Sequence, residues 1–290
     1  MSQPAVIDSA ELGLFGPDSV TWQLHADPAM LVAGVRSLFL QALHPRAVTG
    51  VVQNSDFRED PLGRLMRTAD FIGRITYGTV AEAQAAGQRI RRVHRALSAT
   101  DAETGERYGI DDPELLLWVH CTEVGSFLSV ANRAGYPIGK SHADRYLHEQ
   151  RTSAGLVGID EDTVPSTVEE LREYFTGMYP TLRHTPDAAV IGDFLHRPPV
   201  KGALAMGVPL YQVAIARLAY SMQPAWARRI WGERGYPETV ATGLLRGLRV
   251  AALSVPERLL GDRVGETAAD EAVRRLGEWA TPSPKRLPPA

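Results

Sequence analysis

Apolar residues recur at helical spacing through most of this chain, and no stretch alternates apolar with polar residues between hairpin turns. Gly and Pro cut the pattern into blocks that each read as a helix. The first block spans residues 28–43; its apolar run is interrupted by Arg36 and Gln41 and is closed by Pro45, which cannot continue a helix. The second starts with Asp60 as N-cap and Pro61 at the first helical position, and runs to residue 75. The third covers 80–99. A fourth opens with Asp111 or Asp112 ahead of Pro113 and ends at 134. Leu115, Leu116, Leu117, Trp118, Val119 and Val124 make it apolar nearly all round, which predicts a place at the centre of the fold. After a turn at Tyr136-Pro137-Ile138-Gly139, helices are predicted over 141–155, 167–178, 188–195, 208–218 and 237–253. The proline-rich residues 281–290 cannot build a core and are predicted to form a mobile tail.

These blocks predict an all-α protein with a single helical domain over residues 12–264, a short extension at 1–11 and a partly disordered tail at 265–290. No internal repeat points to a solenoid. Hydrophobic residues make up 44% of the chain and charged ones 22%, enough to form a core and to exclude a wholly disordered chain. A net charge of −3 leaves no footprint for nucleic acid. The lone Cys121 has no partner for an internal disulfide, and no Cys/His spacing matches a zinc site, so a reducing, cytoplasmic setting is expected. The first residues do not read as a secretory signal, and the most apolar stretch falls short of the ~20 residues that span a bilayer. Oligomeric state is open, because apolar helices serve a partner as readily as a core.

Helical spacing puts His94 on one face with Ala86, Ile90, Val93 and Leu97. An imidazole aimed into apolar packing needs a hydrogen-bond partner or a metal, since an unpaired buried polar group costs roughly 1–3 kcal/mol. Haem iron takes a neutral imidazole from a helix above an apolar wall, and His94 suits that task. A core histidine bonded to a carbonyl or carboxylate is the other reading. The flanking Arg91, Arg92 and Arg95 are positioned to pair with haem propionates or to face solvent. Arg64, Arg67 and Thr68, at i, i+3 and i+4, share one flank of the preceding helix. A guanidinium beside a hydroxyl can orient dioxygen or a polarised oxygen in a dry pocket; a surface arginine pair is the bland alternative. His44 reads as the C-terminus of the first helix, where the macrodipole favours a protonated ring. His120, inside the most apolar segment, is a second candidate iron ligand or pocket base. His120 and Glu123 form His-x-x-Glu, but a ferritin-like di-iron site needs two Glu-x-x-His motifs and further glutamates, which are missing. A nucleophile elbow, a P-loop, a dinucleotide glycine fingerprint and His-Glu-x-x-His are also missing.

Five separated motifs then carry a resemblance: Gly13-Leu14-Phe15-Gly16-Pro17-Asp18-Ser19-Val20-Thr21-Trp22, Leu40-Gln41-Ala42-Leu43-His44-Pro45, Arg64-Leu65-Met66-Arg67-Thr68, Val93-His94, and Asp112-Pro113-Glu114-Leu115-Leu116-Leu117-Trp118-Val119-His120-Cys121-Thr122. In that order they resemble the MpaB-like oxygenase family, which includes the catalytic domain of rubber oxygenases, over residues 12–260. The resemblance implies a globin-like helical core holding haem b, with the proximal iron ligand on His94 and with Arg64 and Thr68 beside the haem. Arg67 stands where rubber oxygenase carries a lysine able to ligate the iron. A guanidinium stays protonated and is a poor ligand, so distal ligation is not expected here. The pocket glutamate of that enzyme has no counterpart around Val48. His44 belongs to the family pattern on the distal side. The expected function is a haem-dependent oxygenase using O2 on a small apolar substrate, an isoprenoid or other alkene among the candidates. Alternatives are a haem or apolar-ligand binding protein without turnover and a non-haem iron oxygenase.

Overall fold

A computed structural model describes residues 8–255 and 267–289; among them the chain is all-α apart from one short hairpin. The predicted boundary at residue 264 and most of the N-terminal extension lie outside the described residues. After the short α1 (Ser9–Leu12) and α2 (Val20–His25) come α3 (Met30–Gln41) and α4 (Pro45–Asn54). The break between α3 and α4 corrects the reading of Pro45. This proline opens a helix at its first position instead of only ending one, and the His44 ring caps that helix by accepting from the Ala47 amide at 3.3 Å.

The start signals at Asp60 and Asp112 act as written. Asp60 accepts from the Gly63 amide at 2.9 Å and opens α5 (Pro61–Tyr77). Thr79 and Glu82 form a reciprocal capping box at the start of α6 (Val80–Ala96). Asp112 accepts from the Glu114 amide at 2.9 Å and opens α7 (Pro113–Ala134), whose end is turned by left-handed Gly135. Between α6 and α7 lies an antiparallel hairpin, β1 (Ser98–Thr100) on β2 (Arg107–Gly109), with Ala99 opposite Tyr108.

Helix α7 forms the axis, packed along α3, with Trp118, Cys121, Val130 and Ala131 fully enclosed. Arg36 on α3 is buried beside it, where Nε donates to the Met222 carbonyl at 2.9 Å and Nη1 to the Ser126 hydroxyl at 2.6 Å. Those bonds explain how an arginine sits inside an apolar helix. α8 (Lys140–Val157), α9 (Val168–Met178), α10 (Pro186–His196), α13 (Ala225–Trp231) and α14 (Glu238–Leu253) surround the pair. The helix predicted over 208–218 is realised in three pieces: α11 (Val208–Tyr211), a π-helical turn at Gln212–Ala216, and α12 (Arg217–Ser221).

The C-terminus departs from the expected tail. A last helix, α15 (Ala268–Leu276), packs on α5, and the residues after it lie strapped across the fold. Tyr136 donates to the Ser283 carbonyl at 2.8 Å, Arg249 to that of Pro284 at 2.6 Å, and Leu287 joins the core. One arrangement prepares the site. α5 and α6 pack on each other, α6 on α8 and α8 on α7, while neither α5 nor α6 packs extensively on α7. Gly87 sets the α6–α8 approach: a Cβ there would lie 2.7 Å from the Leu156 carbonyl oxygen.

Candidate functional site

His94 lies near the end of α6, opposite Arg64 near the start of α5. The ring is half-buried and makes no hydrogen bond, and its Nδ1 is fully enclosed without a partner. Desolvation lowers the imidazole below its ordinary pKa; the Arg64 charge adds to that, and Asp111 opposes it. The ring is therefore neutral at pH 7, the form that offers a lone pair. Its helical face is not the sealed packing that the spacing suggests. Val93 is 45% exposed, and Ala86, Ile90 and Leu97 are only partly covered, so the face borders open space. Asp111 helps line a recess of about 850 Å³ at the start of α7, together with Gly109, Asp112, Pro113 and Glu114.

Arg64 Nη1 donates to the Thr68 hydroxyl at 2.6 Å, and that hydroxyl donates back to the Arg64 carbonyl at 3.1 Å. Arg64 is accessible, yet desolvation by surrounding protein is the main cause lowering its guanidinium. Arg67 turns elsewhere: it bonds Asp60 at 2.9 Å and reaches Asp56 at 3.4 Å, with all three groups exposed. The nominally equivalent flank thus splits, with Arg64 near His94 and bonded to Thr68, and Arg67 toward the cap of its own helix.

The other candidates scatter. Arg91 lays its stem against left-handed Gly158 at the end of α8, and Arg95 is exposed; neither hydrogen-bonds the His94 ring. His44 is buried as the N-cap of α4, its ring 6.0 Å from that of Trp118. Its pKa falls to about 4, chiefly through burial and then through Arg46 and Arg183, with Asp112 opposing. This reverses the protonated ring expected of a helix C-terminus. Consecutive acids at the start of α7 thus face the two rings, Asp111 toward His94 and Asp112 toward His44.

His120 and Glu123 lie one turn apart on α7, and neither makes a hydrogen bond or ion pair. His120 Nε2 is fully enclosed, and burial lowers the ring to about 4. Burial raises Glu123 to about 7, leaving a carboxyl that still holds its proton near neutrality. Nearby, His25 Nδ1 pairs with Thr76 Oγ1 at 2.9 Å and Nε2 with Tyr146 OH at 3.0 Å, linking α5, α2 and α8. Glu123 is among the charges that raise the Tyr146 phenol, after desolvation. Spacing flagged His120 but weighed Glu123 only as a di-iron ligand, and it missed the His25–Tyr146 pair, whose residues are far apart in sequence. Unpartnered acid and imidazole groups inside a fold are costly to stability and concentrate at functional sites.

Residues 22–254 match the family model described as ER-bound oxygenase mpaB/B'/Rubber oxygenase, catalytic domain. The chain belongs to this oxygenase family. No curated protein and no solved structure matches it. Membership agrees with the all-α architecture. Among the described residues no helix is long and apolar enough to cross a membrane.

Proposed function

We propose that this member of the oxygenase family is haem-dependent, with His94 as the protein ligand to iron and a small apolar molecule as substrate. The observation that carries the reading is the state of the His94 ring. It is neutral, half-buried, without a protein partner, and faced by a guanidinium–hydroxyl pair from the neighbouring helix. The donor set fits the group: the imidazole would offer a lone pair to iron, and the Arg64 guanidinium could pair with a carboxylate. Among the described residues, no three His, Cys, Asp or Glu side chains gather to hold a bare ion, which favours a prosthetic group over a non-haem iron centre. When bound, haem would supply the dioxygen and one-electron chemistry that protein side chains lack.

The chain's own residues do the rest. Arg64 keeps its charge at neutral pH despite desolvation, and Thr68 holds its Nη1 in one orientation, so the pair is set to bind an oxygen atom by charge-assisted hydrogen bonding. Open apolar side chains on α5 and α6, Leu62, Leu65, Met66 and Val93, offer the surface against which an apolar substrate would exclude water. Glu123 holds a proton at its carboxyl up to about pH 7.

The test is oxygen consumption by haem-loaded protein given reductant and a panel of alkenes, with Arg64→Ala and Thr68→Ala alongside. Turnover that falls at least about tenfold in Arg64→Ala with haem retained supports the reading. A protein that takes up no haemin, or one that binds it and never consumes oxygen, overturns it.

A further inference from the structure

A cavity of about 1000 Å³ lies between α10, the π-helical turn and the residues after α13, and none of the groups described above lines it. Its wall carries four arginines, Arg58, Arg197, Arg217 and Arg234, against two acids, Asp193 and Glu233. The chain has 34 acidic side chains to 31 basic ones, so carboxylates are in surplus, yet none of these four guanidiniums is ion-paired. Two of them are held in place by rings instead. Arg58 lies over Phe57 at 4.7 Å and Arg217 over Tyr236 at 5.0 Å. Stacking orients a guanidinium while leaving its N–H edge free for an oxyanion. Glu233, the nearest acid to the wall's histidine, is 3.5 Å from His196 Nε2 and not on an arginine.

The other part of the wall is apolar: Phe57, Val190, Phe194 and Val213. Phe57 and Phe194 meet edge to face with centroids 4.8 Å apart. Exposed apolar side chains also stand on α11 and the turns before and after it, where Met206 is 81%, Leu210 72% and Val213 58% exposed. The π-helical turn at Gln212–Ala216 contributes Gln212 and Val213 to the lining, and such turns recur at functional sites. The cleft therefore offers cations for a concentrated negative charge and apolar side chains for a hydrocarbon chain.

We propose that the cleft binds an amphiphile with an oxyanion headgroup, a phosphate or a carboxylate. Arg197, Arg217, Arg234 and Arg58 hold the head, and Phe194 and Val213 carry the chain. The connection from α4 to α5 ties this cleft to the first site: Asp56 faces Arg64, while the next two residues, Phe57 and Arg58, line the cleft. Binding here needs no haem, so its test stands apart from the oxygenase reading.

The full chain without added haemin is titrated calorimetrically with dodecyl phosphate, dodecanoate, dodecanol and inorganic phosphate. At least one of the two anionic amphiphiles saturates a single site. Inorganic phosphate and dodecanol bind it at least about tenfold more weakly, because each lacks one half of the recognition. Arg197→Gln/Arg217→Gln weakens the amphiphile about tenfold or more and leaves dodecanol unchanged. Arg197→Lys/Arg217→Lys, which keeps the charge and loses the fork, falls between. Both arginines are exposed, so thermal unfolding of the variants should match the parent and certify their fold. Equal affinity in parent and Gln variant overturns the assignment, as does dodecanol binding as tightly as the anions. Inorganic phosphate binding as tightly as dodecyl phosphate would make this a free-anion site and overturn the amphiphile.

Discussion

Glu123→Gln should make the protein more stable, and only at neutral and alkaline pH. Burial raises the Glu123 carboxyl from its ordinary 4.5 to about 7, and no hydrogen bond or ion pair relieves it. Between those two values the unfolded chain has released this proton and the native chain has not. Stability therefore falls as pH rises through that window and is flat on either side. Each pH unit between the two values is worth ~1.4 kcal/mol, so the native state loses up to about 3 kcal/mol by pH 8. Glutamine has the same shape and no proton to lose. Urea unfolding of parent and variant at pH 5 and pH 8 reads the difference: within about 1 kcal/mol at pH 5, and up to about 3 kcal/mol in favour of Gln at pH 8. In a chain of this size that gap raises Tm by several degrees, on the order of 5 °C. A gap that does not change with pH, or a parent more stable at pH 8, would mean that Glu123 is ionised and paired in the native protein, and the reasoning would fail.

Three further perturbations follow from the packing. His44→Ala removes the cap of α4 and should cost about 1 kcal/mol at pH 7, more with the lost contact to Trp118. The parent's advantage should shrink as pH falls from 6.5 through about 4, because the native ring resists protonation and the unfolded one does not; chemical unfolding across that range checks it. Gly87→Ala places a methyl against the Leu156 carbonyl and should destabilise by roughly 1–2 kcal/mol, overpacking exceeding the gain in helix propensity, as measured by thermal melting. Truncation after Thr281 removes the strap that accepts from Tyr136 and Arg249 and should lower Tm; an unchanged melt would show that the strap does not hold in solution.

The helices that carry explicit start chemistry were legible in the chain. Asp60-Pro61 and Asp112-Pro113 mark α5 and α7, because each satisfies orphan backbone groups with a local partner. The start of α4 was not legible, since proline after one helix and proline opening the next give the same local signal. Only the His44 ring on the Ala47 amide tells them apart. The π-helical turn escaped because an apolar run reads the same at helical and near-helical periods. Bonds from Arg145, Arg249 and His142 to proline carbonyls hold the C-terminal strap, and backbone acceptors leave no side-chain signature. At the site, the Arg64–Thr68 contact was readable from spacing, whereas the diversion of Arg67 depends on acids that lie before its helix. The significance of Glu123 comes from enclosure by other helices, which no local pattern encodes.

The most direct test of the central claim is the visible spectrum of parent, His94→Ala and His120→Ala proteins, each titrated with haemin and then with imidazole. The account predicts a stoichiometric Soret band in the parent and in His120→Ala, and its loss or shift in His94→Ala with recovery when free imidazole fills the vacated position. A His94→Ala protein whose haem spectrum equals that of the parent would contradict the account, as would a loss confined to His120→Ala.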